Sequence, residues 1–217
     1  HDFNSSNLKL QNLLQVLVEV KYKNLFFFLS STSIFGSSYK KKVNEEFKKK
    51  PESFYSLSKV VAENQIKFFS DNFDIKSVVL RASSLYGEEL KRQIIYKIVE
   101  SIKLKKRINL LGFPSDARQF LYVGDLISII YKILRKKNIK GFNLFNVAFG
   151  DNVKITQIIK ILEKITNKKI KFKFYKKTKQ PLIPCVSNLK IKKFIKFNKF
   201  TNFYTGLKNT YEWVIKS

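Results

Sequence analysis

Two short apolar segments, residues 25–29 and 75–80, lie on either side of a single helix-patterned stretch, 53–71. Each is too short for a buried helix and rich in Phe, Leu, Ile or Val, so each is predicted to be a buried strand. A strand, a helix and a second strand in that order form the crossover unit of a parallel sheet, which places the chain among α/β proteins. Pro51, just ahead of the helical stretch, suits a helix start.

The rest of the chain continues the alternation. Residues 7–20 carry Leu10, Leu13, Leu14, Leu17 and Val18 at helical spacing. Helices are predicted at 93–103, at 123–136 (opened by Gly124-Asp125), at 155–165 and at 206–215, and strands at 108–111 and 143–147. Residues 169–174 alternate lysine with Ile or Phe, as an edge strand with one wet face would. Pro181 and Pro184 mark a loop. No internal repeat is present.

Composition removes several function classes. The formal charge is +27, but the lysines are spread along the chain and only five arginines accompany them. Specific nucleic-acid recognition is therefore not expected, because arginine is the residue that reads phosphates and guanines bidentately. The longest apolar run is far short of the roughly 20 residues that span a bilayer. The first residues lack the basic-then-apolar order of a signal peptide, and Cys185 is the only cysteine. A cytoplasmic location is expected. The only histidine is His1, which argues against zinc sites and Ser-His-Asp triads and leaves no metal expected. The seven glycines show no Gly-x-Gly or Gly-x-x-Gly spacing, so the chain contains no phosphate-cradling loop.

Tyr55 and Lys59 stand four apart on the 53–71 helix, where they share a face and can point into one pocket. Spacing alone proves little. With ten tyrosines and 38 lysines, chance predicts about two Tyr-x-x-x-Lys matches, and Tyr175/Lys179 and Tyr204/Lys208 repeat the spacing. What distinguishes Tyr55 is its surroundings. Upstream is Phe28-Leu29-Ser30-Ser31-Thr32-Ser33-Ile34-Phe35-Gly36. The motif itself reads Pro51-x-x-x-Tyr55-x-x-Ser58-Lys59-x-x-x-Glu63. Downstream come Leu80-Arg81-x-x-Ser84-Leu85-Tyr86-Gly87, then Arg118-Gln119-Phe120-Leu121-Tyr122-Val123-x-Asp125-Leu126, and Phe145-Asn146-Val147-x-x-Gly150.

These five ordered blocks resemble the extended short-chain dehydrogenase/reductases, and among them the nucleotide-sugar epimerase/dehydratase family, a resemblance that covers the chain from Asn7 to Trp213. The resemblance implies the C-terminal half of a Rossmann-type parallel sheet with helices on both faces, followed by a small α/β substrate-binding domain. Residues 1–86 would be the partial NAD(P)-binding unit. Residues 87–217 would mainly bind the nucleotide sugar, with about 119–136 packing back on the first unit. By analogy with that fold, roughly 80 to 100 residues carrying the Gly-rich loop would precede the chain.

The resemblance also implies roles. Tyr55 would be the general acid/base, taking a proton from a sugar hydroxyl as hydride leaves the same carbon for NAD (NADP is possible). A free tyrosine has a pKa near 10, and lowering it by about 3 units takes about 4 kcal/mol of preferential phenolate stabilisation. The Lys59 ammonium, which would also reach the nicotinamide ribose, and the positive nicotinamide ring would supply it in a dry pocket. Ser31 would hydrogen-bond the reacting hydroxyl, and Asn7 would complete a catalytic tetrad. Asn7, Ser30, Tyr55, Lys59 and Ser83 would contact the cofactor. Ser31, Thr32, Tyr55, Ser84, Leu111, Arg118 and Lys179 would contact a nucleoside-diphosphate sugar, Arg118 at the pyrophosphate. Taken alone, Ser31 would be a strand-end cap, Asn7 a helix N-cap and Arg81 structural.

One departure bears on the reaction. Family members that dehydrate sugars carry an acid two positions after the Ser/Thr, where this chain has Ser33. Epimerisation through a transient keto sugar, as in a UDP-glucose 4-epimerase, is therefore expected. The alternatives are an NADPH-dependent keto-sugar reductase or a dehydratase, or an inactive truncated member acting as a scaffold. The helices at 7–20 and 53–71 are apolar on more than one side, as a homodimeric four-helix bundle requires.

Overall fold

The computed structural model describes residues 3–37, 39, 41–175 and 184–217. In chain order its elements are α1 (Phe3–Glu19), β1 (Phe26–Ser31), a 3-10 turn (Thr32–Phe35), α2 (Phe54–Phe73), β2 (Ser77–Ala82), β3 (Ser84–Tyr86), α3 (Ile94–Lys103), β4 (Ile108–Leu111), β5 (Ala117–Tyr122), α4 (Val123–Leu134), β6 (Phe142–Val147), β7 (Phe149–Lys154), α5 (Ile155–Thr166), β8 (Phe172–Tyr175), α6 (Leu189–Ile195) and α7 (Phe203–Lys216).

The predicted crossover unit is present. β1 and β2 pair in parallel, Leu29 opposite Leu80, and β2 pairs in parallel with β6, Leu80 opposite Phe145. The order is β1-β2-β6. All six β2 residues are buried, as a central parallel strand demands. Its alternation divides the core. Val79 faces Leu14 of α1 and Ile66 and Phe69 of α2. Val78, Leu80 and Ala82 face the other way, onto Leu126, Ile129 and Ile133 of α4 and Ile191 and Ile195 of α6. The sheet is thus covered on both faces, and it draws on residues well beyond 86. Among the described strands β1 pairs on one side only, with β2, and it is less buried than β2: Leu29 is 42% exposed.

α2 starts where Pro51 suggested. Ser53 accepts the Ser56 N–H, while the Ser56 hydroxyl oxygen accepts the Ser53 N–H. This reciprocal cap satisfies two otherwise orphaned donors and fixes Tyr55 in the first turn. The helix stops at Asp74, in the left-handed region at φ 55°.

A second core gathers Ile95, Ile98 and Val99 of α3, Ile155, Ile158 and Leu162 of α5, and Leu207 and Val214 of α7. Its strands are short. β3 pairs in parallel with β5, β5 antiparallel with β7, and β4 in parallel with β8. β8 is the predicted lysine-alternating strand, shortened to four residues. β3, β5, β7 and α6 were not anticipated: β7 (Phe-Gly-Asp-Asn-Val-Lys) lacks an apolar run, and α6 has only seven residues. Among the described residues, no helix is long and apolar enough to cross a membrane.

Candidate active site

At the C-terminal ends of β1 and β2 a cleft of about 460 Å³ opens, the position where parallel α/β sheets present their ligand-binding loops. Strand alternation sorts its residues. Ser30 turns inward and is 3% exposed, which leaves Ser31 on the cleft side. Of the residues singled out in the sequence, Ser30, Ser31, Thr32, Tyr55, Lys59, Ser83 and Ser84 all line this one cleft. Three elements deliver them: the end of β1 with its 3-10 turn, the first two turns of α2, and the β2–β3 junction.

Lys59 is half-buried. Its ammonium donates to the Leu29 carbonyl at 2.9 Å and lies 5.7 Å from the centre of the Tyr55 ring and 4.7 Å from that of Phe28. Burial pushes the Lys59 pKa down, while the Glu63 carboxylate one turn further along α2 pulls it back up. An ammonium has three donors, so the bond to Leu29 leaves two for a ligand. Tyr55 is 43% exposed and open to the cleft. The Ser31 hydroxyl oxygen accepts the Ser33 N–H at 3.2 Å and the Ser33 hydroxyl at 2.9 Å. It therefore caps the 3-10 turn and faces the cleft at once.

Behind this wall is a buried charge cluster. Glu63, 1% exposed, accepts Arg81 Nε at 2.9 Å and Nη2 at 2.8 Å, and the Ser30 hydroxyl at 2.7 Å. Lys49 Nζ lies 3.0 Å from its other face. Burial alone would raise the Glu63 pKa. The Arg81 hydrogen bonds and charge, the Ser30 hydroxyl and Lys49 outweigh it and hold the carboxyl below the usual glutamate value. Arg81 Nη1 donates to the Glu45 carbonyl at 3.0 Å, so the guanidinium ties β2, α2 and the loop between β1 and α2.

The remaining predicted residues fall elsewhere. Leu111 and Arg118 line a second pocket of about 350 Å³ beside α3, with Arg92 and Lys97. Burial lowers the Arg118 pKa and Asp116 opposes that shift. Asn7 lies in the second turn of α1, because the helix begins at Phe3 rather than at 7, so it is not an N-cap. It does not line the cleft. Lys179 lies outside the described residues. Sequence reasoning missed Gln93, the residue before α3, which lines the cleft while its neighbours Arg92 and Ile94 line the second pocket. Its only sequence signal is its place ahead of an apolar helical repeat.

Two further observations bear on what the cleft accepts. The Ser83 hydroxyl is buried and lacks a hydrogen-bond partner among the described residues, as expected of a group awaiting a polar ligand. This fits the expected dinucleotide. No Asp or Glu is among the residues lining the cleft. Among the described residues there is also no group of three or more His, Cys, Asp or Glu able to hold a metal.

Comparison with known proteins identifies a family and a fold. The sequence model of the NAD dependent epimerase/dehydratase family matches residues 1–148. An uncharacterized protein of Methanocaldococcus jannaschii is 26% identical over 193 residues, 88% of this chain and 59% of its own. An uncharacterized UDP-glucose epimerase of Bacillus subtilis is 24% identical over 212 residues, 96% of this chain and 66% of its own. The chain thus spans less than two thirds of either relative. A tyrosine-to-phenylalanine mutant of UDP-glucuronic acid 4-epimerase from Bacillus cereus, in complex with UDP-4-deoxy-4-fluoro-glucuronic acid and NAD, superposes with a TM-score of 0.88. It is 22% identical and covers 95% of this chain and 66% of its own. At that identity the likeness establishes the fold.

Proposed function

Because the chain belongs to the NAD-dependent epimerase/dehydratase family, we propose that it carries the acid/base half of a nucleotide-sugar epimerase, UDP-linked sugars being the substrate class. The carrying observation is the cleft itself: Tyr55, Lys59 and Ser31 converge there with no carboxylate beside them. An elimination needs, beside the group that takes the first proton, a second acid to protonate the departing hydroxyl, and among the described residues no carboxyl lines the cleft. Moving a hydride off and back on one carbon needs only a group that takes and returns a hydroxyl proton.

Tyr55 holds that proton at its phenolic oxygen. The Lys59 ammonium stabilises the phenolate across the 5.7 Å separation from its ring. Ser31, whose oxygen accepts from Ser33, keeps its own O–H to donate to the reacting sugar oxygen. Ser30, Ser83 and Lys59 would hold NAD, which supplies the hydride acceptor when bound. Leu111, Arg118, Thr32 and Ser84 would seat the sugar and its pyrophosphate, and the Arg118 guanidinium suits a phosphate pair.

A homodimer through α1 and α2 fits the same reading. These helices expose Leu13, Val16, Phe68 and Phe73, and a groove of about 730 Å³ runs between them. Tyr55→Phe in the full-length protein tests the proposal. The expected result is a loss of at least about 10²-fold in kcat on UDP-glucose or UDP-glucuronic acid. Unchanged turnover refutes it.

A further inference from the structure

Glu63 touches neither a substrate position nor the cleft, yet it is the most heavily partnered side chain near the site. Around it the described charges are unequal. Arg81 from β2, Lys49 from the loop before α2 and Lys59 from the preceding turn of α2 are cations. The other carboxylate nearby, Glu45, is on the far side of Arg81 with its Oε1 engaged by the Asn146 N–H at 2.7 Å. Glu63 is thus an anion among three cations, buried with Arg81 while Lys49 and Lys59 reach out toward solvent.

It also joins the two elements that make the site. The Ser30 hydroxyl donates to Glu63 Oε1 at 2.7 Å, and Ser30 sits between Leu29, whose carbonyl accepts Lys59, and Ser31. Tyr55, Lys59 and Glu63 follow one another at four-residue steps on a single face of α2. Strand end and helix face are therefore clamped at their buried side by the same carboxylate that neutralises Lys59.

We propose that Glu63 is a positioning residue of the acid/base site: bonded to Ser30 and to Arg81, it holds the ends of β1 and β2 against the Tyr55 and Lys59 face of α2 and sets its charge beside the Lys59 ammonium. The functional meaning of this inference rests on the proposed role of Tyr55 and Lys59. Its test does not. Without Glu63, Lys59 loses the carboxylate that opposes its burial and releases its proton at lower pH. Without Lys49, Glu63 Oε2 has one cation fewer, its charge is less offset, and Lys59 holds its proton to higher pH.

The experiment is a pH titration of the Lys59 side chain by NMR of 13C-labelled lysine in the full-length protein, the signal assigned by its loss in Lys59→Arg. Glu63→Gln is expected to lower the Lys59 midpoint by one pH unit or more, and Lys49→Met to raise it by about half a unit. Both are read alongside near-UV circular dichroism. Should Glu63→Gln fail to fold, Lys49→Met decides alone, since Lys49 is at the rim and 26% exposed. Midpoints unmoved in folded variants overturn the proposal and mark Glu63 as purely structural. If instead the midpoints move but no nucleotide sugar is turned over by the unmutated protein, the positioning stands and the proposed reaction fails.

Discussion

Replacing Lys59 by methionine keeps the stem length, removes the charge, and isolates what the ammonium contributes. With the 5.7 Å from Nζ to the Tyr55 ring centre taken as the charge separation, an effective dielectric of about 20 gives about 3 kcal/mol of phenolate stabilisation. Full water screening reduces this to about 0.7 kcal/mol. The site spans these limits. Tyr55 is 43% exposed with the cleft open, so the empty protein is near the lower figure, and a filled cleft moves toward the upper one. With NAD and sugar nucleotide bound, Lys59→Met should therefore cut kcat at pH 7 by about 100-fold. A folded Lys59→Met protein that turns over as fast as the unmutated one refutes the electrostatic coupling.

Other perturbations test the surrounding architecture. The Tyr86 hydroxyl is buried without a partner among the described residues, and burial and nearby acids hold its proton firmly. Tyr86→Phe should therefore stabilise the fold by about 1 kcal/mol in chemical denaturation, and a loss of that size contradicts it. Ser83→Ala should leave unliganded stability within about 0.5 kcal/mol while weakening NAD binding by roughly 1 kcal/mol, read as a smaller NAD-induced rise in Tm. Glu63, with its folded pKa below the unfolded value near 4.3, contributes stability that is complete above that value and lost as pH falls through the folded one. Acid denaturation should steepen below about pH 4, and Glu63→Gln, where folded, should flatten that limb.

The parallel sheet was legible because its driving force is local. β2 is buried along its whole length, and so it has to be apolar in sequence. β5 and β7 were not legible, because Arg118 opposite Val153 and Ala117 opposite Lys154 form a ladder held by the backbone and the neighbouring core rather than by an apolar run. In the site, Tyr55, Lys59 and Ser31 were singled out through the motif blocks around them and their family resemblance, and helix and strand periodicity explains why they meet in one cleft. Gln93 and the partners of Glu63 could not, since Arg81 and Lys49 meet that carboxylate from segments 18 and 14 residues away in sequence. Only the folded chain brings them together.

The most direct test of the central claim is the isotopic content of the product. The full-length protein, with NAD, is given UDP-glucose or UDP-glucuronic acid in D2O, and the sugar nucleotides are analysed by NMR. A hydride that leaves and returns to the same carbon never meets solvent, so the account predicts a C4 epimer free of carbon-bound deuterium, with no net change in NADH and with turnover lost in Tyr55→Phe. Deuterium on a sugar carbon with loss of water, net consumption of reduced cofactor, or an undiminished Tyr55→Phe enzyme contradicts it.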